Sequence, residues 1–438
     1  MPWTLANRWL APDNPLPMQT SEPQQAKDAA HIGRTLMVAQ ALFTSGYFGA
    51  ATIGALVGAA LAGDPALAGV PTSVTLVGSA VSAPLWGVAL DRIGRRGGLS
   101  LGLLVGTVGA GIGAYGIATG SLLIFLLGAL AIGSARGAMD LGRYVAGEVQ
   151  PPARRARAIS RVVVASTVGA VLGPLLVGPT GRAAANAGLP ELSGPYLLAV
   201  PLLLATAVGL ALFLRPEPRQ IALAIDEQHP QLGRPSGMRR PWREILAARG
   251  VLTASWVMVT GQVVMVLLMV ITALHMQEHD HSLSNVSLVI SSHTFGMFAF
   301  SVVSGWLTDR LGRGPTILVG LVGLAAACLV SGLSTELVPL SLSLFLLGLG
   351  WNFCYVAGST LLADQLGASE RARVQGLNDA LIGSTSALAS LGSGFVFAGI
   401  GYQTMGWLGA ALCLPPALAV IGWRNRLAPD QTGAPGEA

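Results

Sequence analysis

Apolar segments of about 20 residues recur along most of the chain and are separated by short polar segments. A helix of roughly 20 residues crosses the ~30 Å hydrocarbon core of a bilayer. The segments lack the alternation of apolar and polar positions that a membrane β-barrel strand requires. The pattern therefore predicts an all-α membrane protein with twelve transmembrane helices, at about residues 35–62, 70–90, 98–119, 121–147, 159–180, 195–214, 250–275, 284–307, 315–334, 337–361, 374–399 and 404–423.

A polar stretch rich in proline divides the predicted helices into two sets of six. The domain organisation that follows is a cytoplasmic N-terminal tail at 1–34, a six-helix bundle at 35–214, a cytoplasmic linker at 215–249, a second six-helix bundle at 250–423 and a cytoplasmic C-terminal tail at 424–438.

Composition and charge agree with a protein of the cell membrane. The chain is 52% hydrophobic and only 11% charged, whereas about a quarter of residues are charged in soluble domains. Arginines cluster in every second loop, and Arg182 is the one basic residue expected in the loops between them. The positive-inside rule then places both termini in the cytoplasm. Because topology accounts for the net charge of +5, we do not expect nucleic-acid binding.

Two loop sequences occur twice, once in each half. "GVALDRIGRRGG" (Gly87 to Gly98) and "GWLTDRLGRGP" (Gly305 to Pro315) share the spacing of Gly, Asp-Arg and Gly-Arg. "EVQPPARRAR" from Glu148 matches "DQLGASERAR" from Asp364. The two halves are therefore predicted to be repeats of the same topology, related by an axis along the membrane normal.

These paired loops resemble the signature loop of the major facilitator superfamily, and the resemblance covers residues 35–423. It implies transport by alternating access, in which the halves rock around one central site. It also implies that Asp91 lies at the start of the helix near Val374, and Asp309 at the start of the helix near Ile159. A carboxylate is favourable at such a helix N-terminus.

Within each half, the resemblance pairs the basic residues of the loop with an acid: Arg92 or Arg95 with Glu148, and Arg310 or Arg313 with Asp364. Together these contacts would hold an inner gate shut, while Gly87 and Gly305 would let helices pack closely. The alternative is that the charges only anchor loops and set topology. Exposed ion pairs contribute just 0 to ~1 kcal/mol each, but a transporter needs only a few kcal/mol of bias between its states.

Ionisable residues within apolar spans usually face a cavity and mark a pathway. Candidates for proton coupling or substrate binding in the predicted spans are Arg136, Asp140, His293, Asn352, Asn378 and Asp379. His293 is the first choice for a proton-responsive group because imidazole changes charge near neutral pH, with Asp140 and Asp379 as further candidates. The structural alternatives are a hydrogen-bonded packing role for His293 and an ion pair within one helix for Arg136 and Asp140.

The segment "GAVLGPLLVG" resembles the antiporter motif of the family, through Gly169, Gly173, Pro174 and Gly178. Val177 stands where the motif has the first of its final glycines, so the match is partial. The arginine of the family's drug antiporters in the fourth helix is missing, since Gly128 occupies its place. The motif favours efflux.

The sequence thus predicts a secondary active transporter that exports a small amphiphilic compound in exchange for protons. One alternative is a proton-coupled importer of an anionic metabolite held by Arg136; another is a non-transporting membrane sensor or enzyme. We expect no enzymatic activity, because motifs for zinc hydrolysis, serine catalysis and phosphate binding are absent from the sequence. The expected partners are the small-molecule substrate, protons and the lipid bilayer. We expect a monomer without a cofactor or metal.

Overall fold

The computed structural model describes residues 22–228, 241–366 and 368–425. Within those ranges the regular structure is entirely helical. The helices before the linker are α1 (Glu22–Thr52), α2 (Gly54–Ala62), α3 (Val70–Ala118), α4 (Leu122–Glu148), α5 (Pro152–Leu175), α6 (Val177–Asn186) and α7 (Gly194–Phe213). The linker contains α8 (Pro218–Gln228) and α9 (Trp242–Ala247).

The helices after the linker are α10 (Arg249–Glu278), α11 (Leu283–Ala299), α12 (Ser301–Leu311), α13 (Arg313–Ser331), α14 (Leu337–Asp364), α15 (Ala368–Leu412) and α16 (Leu414–Asn425). We refer to α1–α7 as the N-terminal half and to α10–α16 as the C-terminal half. Short 3₁₀ turns at Pro65–Leu67 and Glu191–Ser193 connect helices of the N-terminal half.

In the described residues, nine helical stretches are long and apolar enough to cross a membrane, and the pair α11 and α12, bent by 43°, makes a tenth. Two of the nine contain a residue with non-helical backbone, Gly94 in α3 and Gly401 in α15. These breaks are compatible with the predicted twelve spans, each long helix supplying two passes, but the number twelve stays a prediction.

One glycine in each signature loop gives the two loops the same backbone turn. Gly94 (φ +84°) and Gly312 (φ +90°) both adopt the left-handed region, which only glycine enters without strain. Each occupies the same place in its loop, between the Asp-Arg and the following arginine. The chain therefore turns from one helix into the next with the same geometry in both halves.

The structure differs from the predicted tails and linker. Helix α1 already begins at Glu22, inside the predicted tail, and the linker contains α8 and α9. Hydropathy finds only the apolar part of a helix, so polar extensions beyond the bilayer escape it. Residues 1–21, most of the predicted C-terminal tail and part of the linker lie outside the described residues.

Small residues allow close packing inside each half. Helix α3 packs on α4 and α1 on α5, while α13 and α11 pack on α14. At the contact of α3 with α4, a Cβ on Gly128 would lie 2.5 Å from the backbone nitrogen of Gly113. No side chain fits there, as expected for helices that associate through small faces in a membrane.

Candidate functional site between the two halves

The two halves contact each other at one end of the molecule, which we call the closed end. Ser73, near the start of α3, donates a hydrogen bond to the carbonyl of Ala387 at 2.8 Å, and Ser390 donates to the carbonyl of Gly69 at 3.0 Å. Helix α15 approaches the start of α3 so closely that a Cβ on Gly69 would overlap the Ser390 carbonyl. Helix α3 then runs away from this contact to Asp91 and Gly94 at the other end, which we call the arginine-rich end.

A second seam at the closed end joins α5 and α6 to α11. The backbone N–H of Gly178 donates to Ser287 Oγ at 3.2 Å, and Arg182 donates to Ser284 Oγ at 2.6 Å. Deeper along the same seam, Ser291 Oγ donates to the carbonyl of Val171 at 3.2 Å. Hydrogen bonds therefore join the two halves at the closed end in two places, between α3 and α15 and between α5, α6 and α11.

The glycines of the antiporter-like segment lie in helix contacts. A Cβ on Gly169 would lie 2.6 Å from the backbone nitrogen of Ser45, and one on Gly173 would lie 2.9 Å from that of Gly49. Gly178 lies against Ser284 of α11, and the helix breaks at Leu176, shortly after Pro174. The segment therefore holds α5 tightly against α1 and α11. Its role in antiport stays a prediction.

A charged cluster lies midway along α4, within an apolar span. Arg136 donates to Tyr47 Oη of α1 at 2.6 Å, and its guanidinium carbon lies 5.0 Å from the centroid of the same ring. Asp140, one turn further along α4, lies 3.7 Å from Arg136. The side chains of Arg136 and Asp140 are 35% and 48% exposed. Ionisable side chains inside an apolar span usually face a cavity, and we call the space beside Arg136 and Asp140 the central cavity.

Aromatic side chains from both halves lie at the same depth in the molecule as the Arg136 cluster. Phe48 of α1 and Phe298 of α11 have ring centroids 6.4 Å apart, and Phe298 lies 6.4 Å from Trp351 of α14. Trp351 stacks on Tyr355 at 4.9 Å, and its indole N–H donates to Gln262 Oε1 of α10 at 2.8 Å. We call Phe48, Phe298, Trp351 and Tyr355 the aromatic wall.

Tyr47, Gln262 and the aromatic wall are not predicted from the sequence. Apolar helices contain many aromatic residues, and nothing in their spacing marks those that face a cavity. Gln262 was the one available signal, since it is the only amide side chain in the predicted span 250–275.

His293 and Asn352 lie inside the C-terminal half rather than in the central cavity. His293 is fully buried, its Nδ1 donates to the carbonyl of Leu344 at 2.9 Å, and its Nε2 has no partner in the described residues. Asn352 donates to the carbonyl of Met297 and to Ser301 Oγ, and accepts from Ser304. These contacts bridge the bend between α11 and α12. The structure therefore does not bring either residue to Arg136.

The last two candidates lie near the arginine-rich end of α15. Asn378 is buried, and its amide contacts the sulfur of Met258 at 3.8 Å. Asp379 is exposed and close enough to Arg143 of α4 for an electrostatic interaction between the halves. Asp379 thus faces the other half, whereas Asn378 packs against α10.

At the arginine-rich end, each half contains the same arrangement of three charges, which we call the charge triads. In the first, Arg95 donates to Asp91 at 2.6 Å and to both oxygens of Glu148 at 3.1 and 3.3 Å. In the second, Arg313 lies 2.7 Å from Asp364 and 3.9 Å from Asp309. Arg310 instead lies over the Trp306 ring, and Arg92 is exposed.

The expected contacts of Asp91 and Asp309 with the opposite half are not made in this structure. Their side chains are 70% and 78% exposed, and their ion-pair partners in the described residues are Arg95 and Arg313 of the same half. The expected close packing of Gly87 and Gly305 is also wrong for this structure, because a Cβ at either position would meet only open space. Both corrections have one cause: the halves touch at the closed end and leave the arginine-rich end open.

The linker contacts the first charge triad. Glu217 accepts the backbone N–H groups of Arg95 at 2.6 Å and Arg96 at 3.4 Å, and Arg219 donates to the carbonyl of Asp91 at 2.7 Å. The first N–H groups of a helix lack partners within the helix. Glu217 therefore caps the helical segment that resumes after Gly94.

A sequence model of the Major Facilitator Superfamily matches residues 36–279 and 257–438. The chain is 36% identical over 420 residues to the uncharacterised MFS-type transporter YdeG of Bacillus subtilis, covering 93% of this chain and 95% of that protein. It is 31% identical over 331 residues to the riboflavin transporter RfnT of Brucella anthropi, covering 75% of this chain and 79% of that protein.

Solved structures share the fold at low sequence identity. The nucleoside transporter NupG superposes with a TM-score of 0.66 at 15% identity, covering 89% of this chain and 98% of NupG. A D-xylose–proton symporter gives a TM-score of 0.66 at 16% identity, covering 89% of this chain and 98% of the symporter. With these matches, the duplicated loops and the apolar helices, the chain belongs to the major facilitator superfamily and is an integral membrane transporter rather than an enzyme.

Proposed function

We propose that this protein exports a flat aromatic compound through the cell membrane by alternating access, in exchange for protons. The observation that carries the proposal is the central cavity, where Arg136 and Asp140 stay accessible beside an aromatic wall contributed by both halves. In this proposal the arginine-rich end and both termini face the cytoplasm. The structure then corresponds to the state that is open to the cytoplasm.

The aromatic wall supports a flat substrate. Aromatic rings stack at centroid distances of 4.5–7 Å, and the indole of Trp351 is held in place by Tyr355 and Gln262. A ring system that lies between Phe48 and Trp351 would contact both halves at once. The relative RfnT is named for riboflavin, whose tricyclic ring is flat. Arg136 would donate hydrogen bonds to an anionic or carbonyl group of the substrate.

We assign the coupling proton to Asp140 rather than His293. Asp140 is 48% exposed and 3.7 Å from Arg136, so proton and substrate act on neighbouring groups. Protonation of Asp140 weakens its attraction for Arg136 and changes how strongly the guanidinium binds a substrate. His293 is fully buried and hydrogen-bonded within the C-terminal half. Export is supported by the glycine packing of the antiporter-like segment, which holds the closed end together.

Flux of riboflavin in proteoliposomes tests the proposal. With an imposed pH gradient, riboflavin should move opposite to the protons, and xylitol, which lacks a ring, should not move. Asp140→Asn should abolish the dependence on the gradient, and Trp351→Ala should raise the apparent KM about tenfold, as expected for the loss of one stacking contact. Trp256, exposed on α10, provides the matched control Trp256→Ala.

Three results would contradict parts of the proposal separately. Movement of riboflavin in the same direction as protons would favour import. Gradient-driven flux in Asp140→Asn equal to that of the unmodified protein would exclude Asp140 as the coupling group. Equal effects of Trp351→Ala and Trp256→Ala would exclude the aromatic wall as the binding surface.

A further inference from the structure

A groove on the outer surface of the N-terminal half lies between α1 and α7, away from the central cavity. Its volume is about 270 Å³, and its walls include Val38 and Leu42 of α1 and Ala205, Gly209 and Phe213 of α7. Val38 and Phe213 are 61% and 59% exposed. The groove is therefore largely apolar and is open to the surroundings of the protein at Val38 and Phe213.

The end of the groove is basic. Lys27, His31 and Arg34 follow each other on α1 at spacings of four and three residues, so they share one helical face with Val38 and Leu42. In the described part of the chain, Arg34 has neither an ion-pair partner nor a hydrogen-bond partner, and its side chain is exposed. Asp28, the nearest acid along α1, accepts a hydrogen bond from Gln24.

His31 fixes the geometry of this basic end. Its Nε2 donates to the carbonyl of Phe213 at 2.8 Å. Phe213 is the last residue of α7, whose final carbonyls lack partners within the helix. The hydrogen bond ties α1 to α7 at the mouth of the groove and leaves the Arg34 guanidinium beside it.

We propose that this groove binds an anionic phospholipid, with an acyl chain along Val38 and Leu42 and the phosphate at Arg34. Along this face of α1 the basic residues lie at the mouth of the groove and the apolar residues lie further inside. A phospholipid has the same order, with its charged headgroup at the membrane surface and its acyl chain inside the leaflet. A guanidinium binds phosphate with two parallel hydrogen bonds. Basic side chains near a membrane surface each contribute about 1 kcal/mol of attraction for anionic lipid.

The test is lipid retention by the full chain, measured by native mass spectrometry with equimolar phosphatidylglycerol and phosphatidylcholine. The unmodified protein should retain phosphatidylglycerol about fivefold over phosphatidylcholine. Arg34→Ala should reduce that preference towards one. Gly209→Leu should reduce retention of both lipids, because a Cβ at Gly209 meets open space and the leucine would occupy the groove.

Two controls separate the site from general surface effects. Arg154→Ala removes an exposed arginine elsewhere at the arginine-rich end and should reduce the preference for phosphatidylglycerol less than Arg34→Ala does. Gly422→Leu adds the same side chain as Gly209→Leu at an open position on α16 and should behave as the unmodified protein. Equal retention of the two lipids by the unmodified protein would overturn the proposal. So would loss of phosphatidylglycerol in Arg34→Ala with full retention in Gly209→Leu, since that result describes an anion site without an acyl chain. The readout does not depend on transport.

Discussion

Glu217 accepts the backbone N–H of Arg95 at 2.6 Å, so the segment that joins the two halves also caps a helix of the first half. Arg95 is the central cation of the first charge triad. The corresponding turn of the C-terminal half, at Gly312, has no such cap from a side chain in the described residues. The linker therefore stabilises one of the two signature loops directly, and the repeats differ in this respect.

Replacing Glu217 with alanine should detach the linker from the first charge triad. Loss of a side-chain cap typically costs about 0.5–2 kcal/mol, and an anion at a helix N-terminus adds a favourable charge interaction. We expect a lower Tm in detergent and faster proteolysis between α8 and α9. Glu244→Ala is the matched control, because Glu244 is an exposed acid of the same linker. Equal protease sensitivity of the two variants would show that the cap does not hold the linker.

Replacing Gly69 with alanine should open the closed end. The new Cβ would overlap the Ser390 carbonyl, and because the clash is with backbone, the halves must separate or the protein must lose stability. We expect a reporter, Ser291→Cys in a background without the three native cysteines, to react faster with a membrane-impermeant maleimide. Ser291 is buried at the seam between α5 and α11.

The control for this variant is Gly111→Ala, a glycine of α3, the helix that Gly69 precedes, at which a Cβ meets open space. It should leave the labelling rate of the reporter unchanged. Slow labelling in Gly69→Ala, together with an unchanged Tm, would mean that the contact between α3 and α15 does not hold the closed end.

The family and the apolar helices could be predicted from the sequence because each has a local signal. The resemblance to the family implied the pairs of Arg95 with Glu148 and of Arg313 with Asp364, whereas the pairs of Arg95 with Asp91 and of Arg313 with Asp309 were not predicted. A long apolar run, a repeated loop and an acid at a fixed place after a span are all readable along the chain. The central cavity is different, since Tyr47, Gln262 and Trp351 are distant in sequence and meet only through packing. The resemblance to the family implied contacts of Asp91 and Asp309 with the opposite half, but a sequence does not specify which of two states is populated.

The exposed state of the signature loops leads to a prediction for Gly305. A Cβ there meets open space in this structure, but a leucine would obstruct closure if the halves meet at the arginine-rich end in another state. We expect Gly305→Leu to fold with an unchanged Tm and to slow both transport and labelling of the Ser291→Cys reporter more than tenfold, a bias of about 1.4 kcal/mol or more. This effect on the reporter is opposite to that of Gly69→Ala.

Gly422→Leu is again the matched control, since it adds the same side chain to an exposed helical position without a neighbour. Unaltered transport and labelling in Gly305→Leu would mean that Gly305 stays in open space throughout the cycle. The expected gate at the arginine-rich end would then have to form elsewhere.

Asn352 was a candidate for substrate or proton binding, and its contacts predict a structural role instead. It is 2% exposed and hydrogen-bonds to Met297, Ser301 and Ser304 on both sides of the bend between α11 and α12. Asn352→Leu removes these three hydrogen bonds, each of which contributes about 0.5–1.5 kcal/mol to stability, while the Ser301 and Ser304 hydroxyls keep their bonds to backbone carbonyls. We therefore expect a clear fall in Tm, whereas Asn285→Leu, at a less buried position near the start of α11, should have a smaller effect. If Asn352→Leu instead kept its Tm but lost riboflavin binding, Asn352 would belong to the transport site, and the bend would have to open during the cycle to expose it.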